Sequence, residues 1–331
     1  MDGRIRYILR RLNGVNYGAL WDYASKIHQK TGRNTLLLAL DIAYCSFKYG
    51  TTFTDYFEFE FYLLNSRERL TYLTSSINND IVRKYNDSEK SKIFHDKLVF
   101  NEYFKRFLKR DYVDIRKDDL DGFVKKHPVF IAKPVDESGG LGIRFYDVRE
   151  YPNTEALKKV LMENRQYLLE EPIIQEKSMN DLNPSSVNTL RMISFLKDDG
   201  SAVILKRIIL IGNKGKVNNF TSGGMYSFLD ENGTILYPAI DKVGNIFPIH
   251  PTTGIEFAGY RINRFEEACE LVKELARVIP EVRYVGWDIA ISENGPLVIE
   301  GNEYSGVFEA KPSLSGVHKG DLALYRQYME I

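Results

Sequence analysis

The chain of 331 residues is short of several things, and each shortage excludes something. It has two cysteines, Cys45 and Cys269, and no CxxC pair. That excludes a disulfide framework and argues against a zinc site, so both are expected as buried thiols of a reducing, cytoplasmic protein. It has no net charge, its 45 Lys+Arg being matched by 45 Asp+Glu. Nothing therefore draws the whole molecule to nucleic acid or anionic lipid, and any positive field must be local. No basic stripe marks a nucleic-acid binder. No hydrophobic run approaches the ~20 residues that span a bilayer, since residues 36–40 end at Asp41. The N-terminus carries Arg4, Arg6, Arg10 and Arg11 without the apolar core and cleavage site of a signal peptide. Arg4, Ile5, Ile8, Leu9 and Leu12 read instead as an amphipathic helix, expected to dock, with surface attachment as the alternative. There is no internal repeat and no low-complexity segment.

What is present suffices for a large domain or two to three subdomains, with 44% of residues hydrophobic. Residues 1–92 have helical patterning and many aromatics and are expected to form a cap. Leu36, Leu37, Leu40, Ala43, Tyr44 and Phe47 recur at three- and four-residue steps and predict a buried helical face. Residues 56–62 alternate in part and read as a strand or a tight turn. Ser66 is expected to N-cap a helix, and the polar stretch 78–91 to be a linker. From about residue 93 the texture changes to strands and helices, an α+β pattern. Strands are predicted at 129–132, 143–146, 173–174, 190–196 and 203–211. A helix is predicted at 156–161, and Phe265, Ala268, Leu271, Val272 and Leu275 mark another. Residues 285–291 and 296–299 flank Glu293-Asn294-Gly295, a hairpin signal.

Five constellations carry the chemistry. Lys133 ends an apolar strand and precedes Ser138-Gly139-Gly140-Leu141-Gly142, a loop whose backbone N–H groups suit phosphate oxygens. It is neither a Walker A loop nor GxGxxG before a helix. In the C-terminal hairpin, Asp288 and Glu300 can share a face, and Asn302 follows two residues on. Two carboxylates and an amide oxygen form a hard set suited to Mg²⁺. Arg191 opens a strand after Asn183-Pro184-Ser185-Ser186-Val187-Asn188-Thr189-Leu190. Gripping a phosphate or carboxylate and closing a structural ion pair are both open for it. Asn218-Asn219-Phe220-Thr221-Ser222-Gly223-Gly224 is a small amide-rich loop suited to oxyanions. Leu168-Leu169-Glu170-Glu171-Pro172-Ile173-Ile174 reads as a hinge that presents backbone groups to a flat base.

In this order the five resemble the ATP-grasp superfamily, most closely its sugar-transfer-associated branch and the teichuronopeptide-type ligases. The residues carrying the resemblance are 184–191, His250-Pro251-Thr252-Thr253-Gly254 and Asp288 with Glu300-Gly301-Asn302. It spans roughly residues 30–325. It implies an ATP-grasp fold, two α+β subdomains (93–180 and 181–331) clamping ATP, behind the N-terminal helical region. It implies that Lys97 and Lys133 bind phosphates, with Lys105 a rival of Lys97. Ser138, Gly139 and Gly140 would cover them, and Glu170, Glu171 and Ile173 would line the adenine slot. Asn219 would contact phosphate, Arg191 and Lys133 would act in catalysis, and Asp288, Glu300 and Asn302 would hold Mg²⁺. Glu176 stands near the place of a ribose-binding acid. The activity implied is an ATP- and Mg²⁺-dependent ligase joining a small carboxylate to an amine, sugar-linked or peptide, in surface-polysaccharide or peptide-conjugate assembly. A kinase acting on a hydroxyl and a non-catalytic ATP-binding regulator remain alternatives. His250 is expected to be structural rather than a base.

Overall fold

A computed structural model describes residues 16–137, 140–213 and 223–331. The amphipathic helix expected near Arg4–Leu12 lies outside them. The chain is α+β and divides into two compact units, one of Val82–Ser305 and one joining the N-terminal helices up to Ile81 with Gly306–Ile331. The last residues thus pack with the N-terminal helices.

In the N-terminal unit, α1 (Tyr17–Thr31), α2 (Thr35–Tyr49) and α3 (Phe53–Glu58) pack on one another. Asn16 and Asn34 cap the first two by accepting N–H groups of the first turn. Their core holds Ile27, Leu38, Ile42, Cys45, Tyr56, Phe61 and Tyr72. Asp41 binds Arg69 through two hydrogen bonds of 2.8 and 2.6 Å and accepts the Tyr56 hydroxyl. The C-terminal segment is tied in by buried Glu309, which accepts the Leu73 N–H at 2.8 Å, and by buried Glu60, which accepts the Ser313 N–H at 2.8 Å.

Two expectations for this region are corrected and two are met in part. The α2 face of Leu36, Leu37 and Leu40 is 59–67% exposed, with Ala43, Tyr44 and Phe47 also at the surface. The helix buries Leu38, Ala39, Ile42, Cys45 and Tyr49 instead. Both faces are apolar, so periodicity alone points to the wrong one. Of the strand and the tight turn read at residues 56–62, the turn is present: α3 ends at Glu58, Glu60 adopts φ 53°, and a 3₁₀ turn, Phe61–Leu63, follows, so no strand forms. Asn65, not Ser66, is the N-cap, and Glu68 closes a capping box. The stretch 78–91 holds the division between the two units, after Ile81, but as helix and not as irregular chain: most of it lies in α4 (Ser75–Tyr85) and the turn Ser88–Ser91. Asn78 and Ile81 are its buried face.

The larger unit holds two antiparallel sheets. The smaller has order β1-β4-β2-β3: β1 (Tyr112–Asp114), β2 (Val129–Lys133), β3 (Arg144–Asp147) and β4 (Leu168–Glu170). Helices α6 (Leu120–Lys126) and α7 (Thr154–Glu163) pack on it through Phe123, Leu157 and Leu161; α5 (Lys97–Tyr103) precedes the sheet. The larger sheet has order β11-β10-β5-β6-β7-β8-β9, with a centre of β5 (Thr189–Leu196), β6 (Ala202–Ile211), β10 (Tyr284–Ser292) and β11 (Gly295–Asn302). Strands β7 (Met225–Phe228), β8 (Ala239–Asp241) and β9 (Ile246–Phe247) finish one edge. Helix α9 (Phe265–Leu275) seals one face with Phe265, Ala268, Val272 and Leu275. Helix α8 (Lys177–Leu182) links the two sheets in sequence. Residues 173–174, read as strand, are irregular, since Pro172, two residues past the end of β4, has no N–H for a ladder. Among the described residues no helix is long and apolar enough to cross a membrane.

Candidate active site

The larger sheet sets up the first half of the site by register alone. Asp288 on β10 pairs with Glu300 on β11 and with Arg191 on β5. Three charged side chains therefore stand in one row across neighbouring strands, on one face. A bulge after Asp288 shifts the register, so Ile289 pairs with Val298. Asn302, two residues beyond Glu300, pairs with Gly286 and donates to its carbonyl at 3.4 Å. Gly301 between them has a steric cause. A Cβ there would lie 2.7 Å from the Phe94 ring and 3.0 Å from Trp287, which is buried and donates to Ser194 Oγ at 2.9 Å. The close aromatic floor leaves the other face to Glu300 and Asn302.

Arg191 grips Asp288 with Nε and, at 2.7 Å, with Nη2. Its Nη1 has no protein partner among the described residues. Burial weakens its charge, but the carboxylate outweighs this and raises its pKa. Of the two readings left open for Arg191, the ion pair is present, and it does not exhaust the guanidinium. Burial, then the neighbouring Asp288 charge, raises the Glu300 carboxyl above its ordinary 4.5.

The smaller sheet supplies the second half. Lys133 and Glu170 lie diagonally on adjacent strands, and Lys133 Nζ bonds to Glu170 Oε2. Glu170 is buried and also accepts from Arg110 Nη2 at 2.8 Å and from Asn101 Nδ2 at 3.3 Å. Burial pushes its carboxyl up, but Arg110 and Lys133 hold it well below the usual carboxylate range. Arg110 Nη1 reaches across to the Val298 carbonyl of β11 at 2.7 Å. One guanidinium thus ties the two sheets together. Lys97, first residue of α5, donates to the Glu137 carbonyl in the loop after Lys133. Burial lowers its pKa; Glu300 opposes this and Lys133 adds to it, so the three charges act on one another.

Lys97, Lys133, Glu170, Arg191, Asp288 and Glu300 are therefore brought into one electrostatic group, with Asn302 beside it. Three of the other expected residues, Ser138, Gly139 and Asn219, lie outside the described residues; Gly140 begins the described part of its loop with φ 75°. Lys105 sits in the turn Lys105–Leu108. Glu171 is turned the other way: its carboxylate accepts the Asp111 N–H at 3.1 Å and its own N–H binds the Asp111 carbonyl at 3.0 Å. His127 Nε2 lies 2.9 Å from the same Asp111. Ile173 is partly buried in the irregular segment after β4. Glu176 caps α8, accepting from Ser178 N–H at 2.7 Å and Asn263 Nδ2 at 3.0 Å. A surface groove of about 710 Å³ lined by Arg106, Lys109, Glu266 and Glu270 contains none of these residues.

Two residues of the signature stretches, Asn188 and His250, serve as scaffolding. Asn188, fully buried, donates to the Met179 carbonyl at 2.7 Å and accepts the Gly212 N–H at 3.2 Å. His250, also buried, accepts the N–H groups of Thr252 and Thr253 on Nδ1 at 3.3 and 3.2 Å. Its Nε2–H therefore donates to the Gly212 carbonyl, at 2.9 Å. Both residues meet at Gly212, where a Cβ would lie 2.1 Å from Ser186 Oγ. They fix the end of β6, from which the Asn-rich loop departs. Sequence reasoning misses Arg110 and Asn101, which stand in no motif and gain meaning only from their contacts with Glu170.

Comparison with solved structures gives distant likenesses. An N5-carboxyaminoimidazole ribonucleotide synthetase from Thermotoga maritima is 15% identical, with 68% of this chain and 47% of that one covered and a TM-score of 0.36. A D-alanine–D-alanine ligase from Bacillus anthracis is 12% identical, covering 69% and 64%, at 0.38. The biotin carboxylase domain of a Hydrogenobacter thermophilus 2-oxoglutarate carboxylase, crystallised with MgADP and bicarbonate, is 17% identical, covering 68% and 43%, at 0.38. The chain spans about half the length of the structures it matches. No curated protein matches it. The model of the sugar-transfer associated ATP-grasp family matches residues 76–311, most of the chain and all the residues brought together above, and the chain belongs to that family.

Proposed function

We propose that the protein is an ATP-dependent ligase that joins a small carboxylate to an amine through an acyl phosphate. The observation that carries this reading is the single row of Arg191, Asp288 and Glu300, electrostatically linked to Lys97 and Lys133. In the reaction, a carboxylate oxygen takes the γ-phosphoryl of ATP, releasing ADP. The amine then displaces phosphate from the acyl carbon and loses its proton. Lys97 and Lys133 supply fixed positive charge to the phosphates, and Ser138, Gly139, Gly140 and Asn219 supply donors. Glu170 and Ile173 line the adenine slot, while Glu171, bound to Asp111, stays outside it. Arg191, its Nε edge held by Asp288, offers Nη1 to the transferred phosphoryl, an electrostatic role placed in advance.

The residues fit a magnesium ion. Two carboxylates face each other across one strand pair, with an amide beside them; burial first and the Asp288 charge second raise the Glu300 pKa, and a divalent cation offsets both. Asp288, Glu300 and Asn302 would hold Mg²⁺, which when bound supplies charge neutralisation at the phosphate oxygens. The family's association with sugar transfer supports a sugar-linked carboxylate or amine in surface-polysaccharide or peptide-conjugate assembly.

The test is ADP release over paired carboxylates and amines, with hydroxylamine as trap. A hydroxamate formed only with ATP and the carboxylate is the expected product. A stable phosphoester would convert the assignment to a kinase. Asp288→Asn and Glu300→Gln should each lower the rate on the order of 10²-fold or more. Full turnover in both variants would count against the site.

A further inference from the structure

Helix α2 turns an apolar face to solvent. Leu36, Leu37, Leu40 and Tyr44 fall within an arc of about 100° on the helix, directly opposite the buried Leu38, Ile42, Cys45 and Tyr49. Exposed apolar residues scattered singly need no explanation, but four on one face do. Helix α1, packed along α2, adds Trp21, 51% exposed. The charge around this face is one-sided. Among the described residues 16–50 there are four lysines and arginines against two aspartates and no glutamate, in a chain whose total charge is zero. Lys26, Lys30, Arg33 and Lys48 are exposed. Of the aspartates, Asp41 is already held by Arg69 and Tyr56. Lys48 borders the stripe, its Nζ 2.7 Å from the Tyr44 hydroxyl.

We infer that this face of the N-terminal helices docks on an anionic lipid bilayer. The leucines, Tyr44 and Trp21 enter the interface, and the surrounding cations meet the phosphate headgroups. No described helix is long and apolar enough to cross the membrane, so the helices lie on it. A second copy is disfavoured by the same charge, because a two-fold contact would set two positive surfaces against each other. The inference does not depend on the ligase reading.

The experiment uses the full chain and flotation with phosphatidylcholine vesicles, with and without phosphatidylglycerol. The two tryptophans provide a second readout, since Trp21 is exposed and Trp287 is 1% exposed. Brominated lipid should quench the Trp21 share of emission and leave the buried Trp287 share. Flotation with the anionic vesicles only is expected, weakening at high salt. Leu37→Glu/Leu40→Glu should cut binding at least about tenfold with an unchanged melting midpoint and unchanged ATP turnover. Should that variant fold poorly, Leu37→Ser/Leu40→Ser replaces it. The inference is overturned if the wild type does not float, if neutral vesicles bind as well, if Trp21 emission is not quenched, or if the variants bind like the wild type. A wild-type dimer that the glutamate variant dissolves, without vesicle binding, overturns it in favour of a second copy.

Discussion

Among single residues, Arg110 and Glu300 make opposite demands. Glu170 is buried, with Arg110 and Lys133 as its hydrogen-bonded cationic partners. Removing Arg110 leaves a buried carboxylate half-compensated. Arg110→Met is therefore expected to cost about 3–5 kcal/mol of stability in urea unfolding. Arg110→Met with Glu170→Met, which removes both charges, should recover part of that loss. Glu300 carries the reverse sign. Its pKa is raised, so below the ordinary value of 4.5 it is protonated in both states and imposes no penalty. As pH rises past 4.5 the unfolded chain releases the proton first, and the folded state loses stability until its own, higher pKa is passed. Glu300→Gln should thus melt higher than wild type at neutral pH, with the gain shrinking towards pH 4 in a thermal-shift series. The same variant should lose metal-dependent turnover. A gain in stability joined to a loss of activity is what a residue kept for a ligand, and not for the fold, would show.

At the scale of elements, the strands are the readable part. Hairpin β10–β11 declares itself by two apolar runs around Glu293-Asn294-Gly295, and its period of two is enough to place Asp288 and Glu300 on one face. Helix α9 is equally plain because one of its faces is polar. Helix α2 misleads because Leu36 to Tyr49 is apolar nearly all round, so spacing identifies the helix but not the buried side. The polar stretch 78–91 misleads because a helix with only two buried positions, Asn78 and Ile81, has almost no apolar stripe. Asn188 is legible only as part of a pattern, whereas the structural part expected of His250 is met. His250 organises the turn after β9 and the end of β6. His250→Phe should leave a buried carbonyl and two N–H groups unpaired and cost about 1–3 kcal/mol. The pH dependence of the rate should keep its shape in that variant. A lost limb would make His250 a base after all.

For the whole molecule, the site in the larger unit belongs to two sheets that share no strand. Arg110 and Lys97 are the ties between them, through Val298, Glu170 and the charge of Glu300. A ligand that binds both sheets must stabilise their union. Mg²⁺ with ATP at about one hundred times its dissociation constant should add about 2.7 kcal/mol, or about 5–10 °C in melting temperature. Asp288→Asn should abolish the magnesium-dependent share of that shift, which differential scanning fluorimetry reads directly.

By itself the amino-acid order determined the α+β class, most of the strands, the hairpin, and which lysines, arginine and carboxylates to propose for the candidate site, because period and turn chemistry act over a few neighbouring residues. Tertiary structure alone decided that Arg191 spends one edge on Asp288, that Glu171 turns away from Glu170 towards Asp111, and that Arg110 joins the sheets. It also decided that α2 shows its leucines to solvent and that the last residues return to the first helices. Those outcomes turn on which distant groups meet and which surfaces are covered, and no local pattern encodes either.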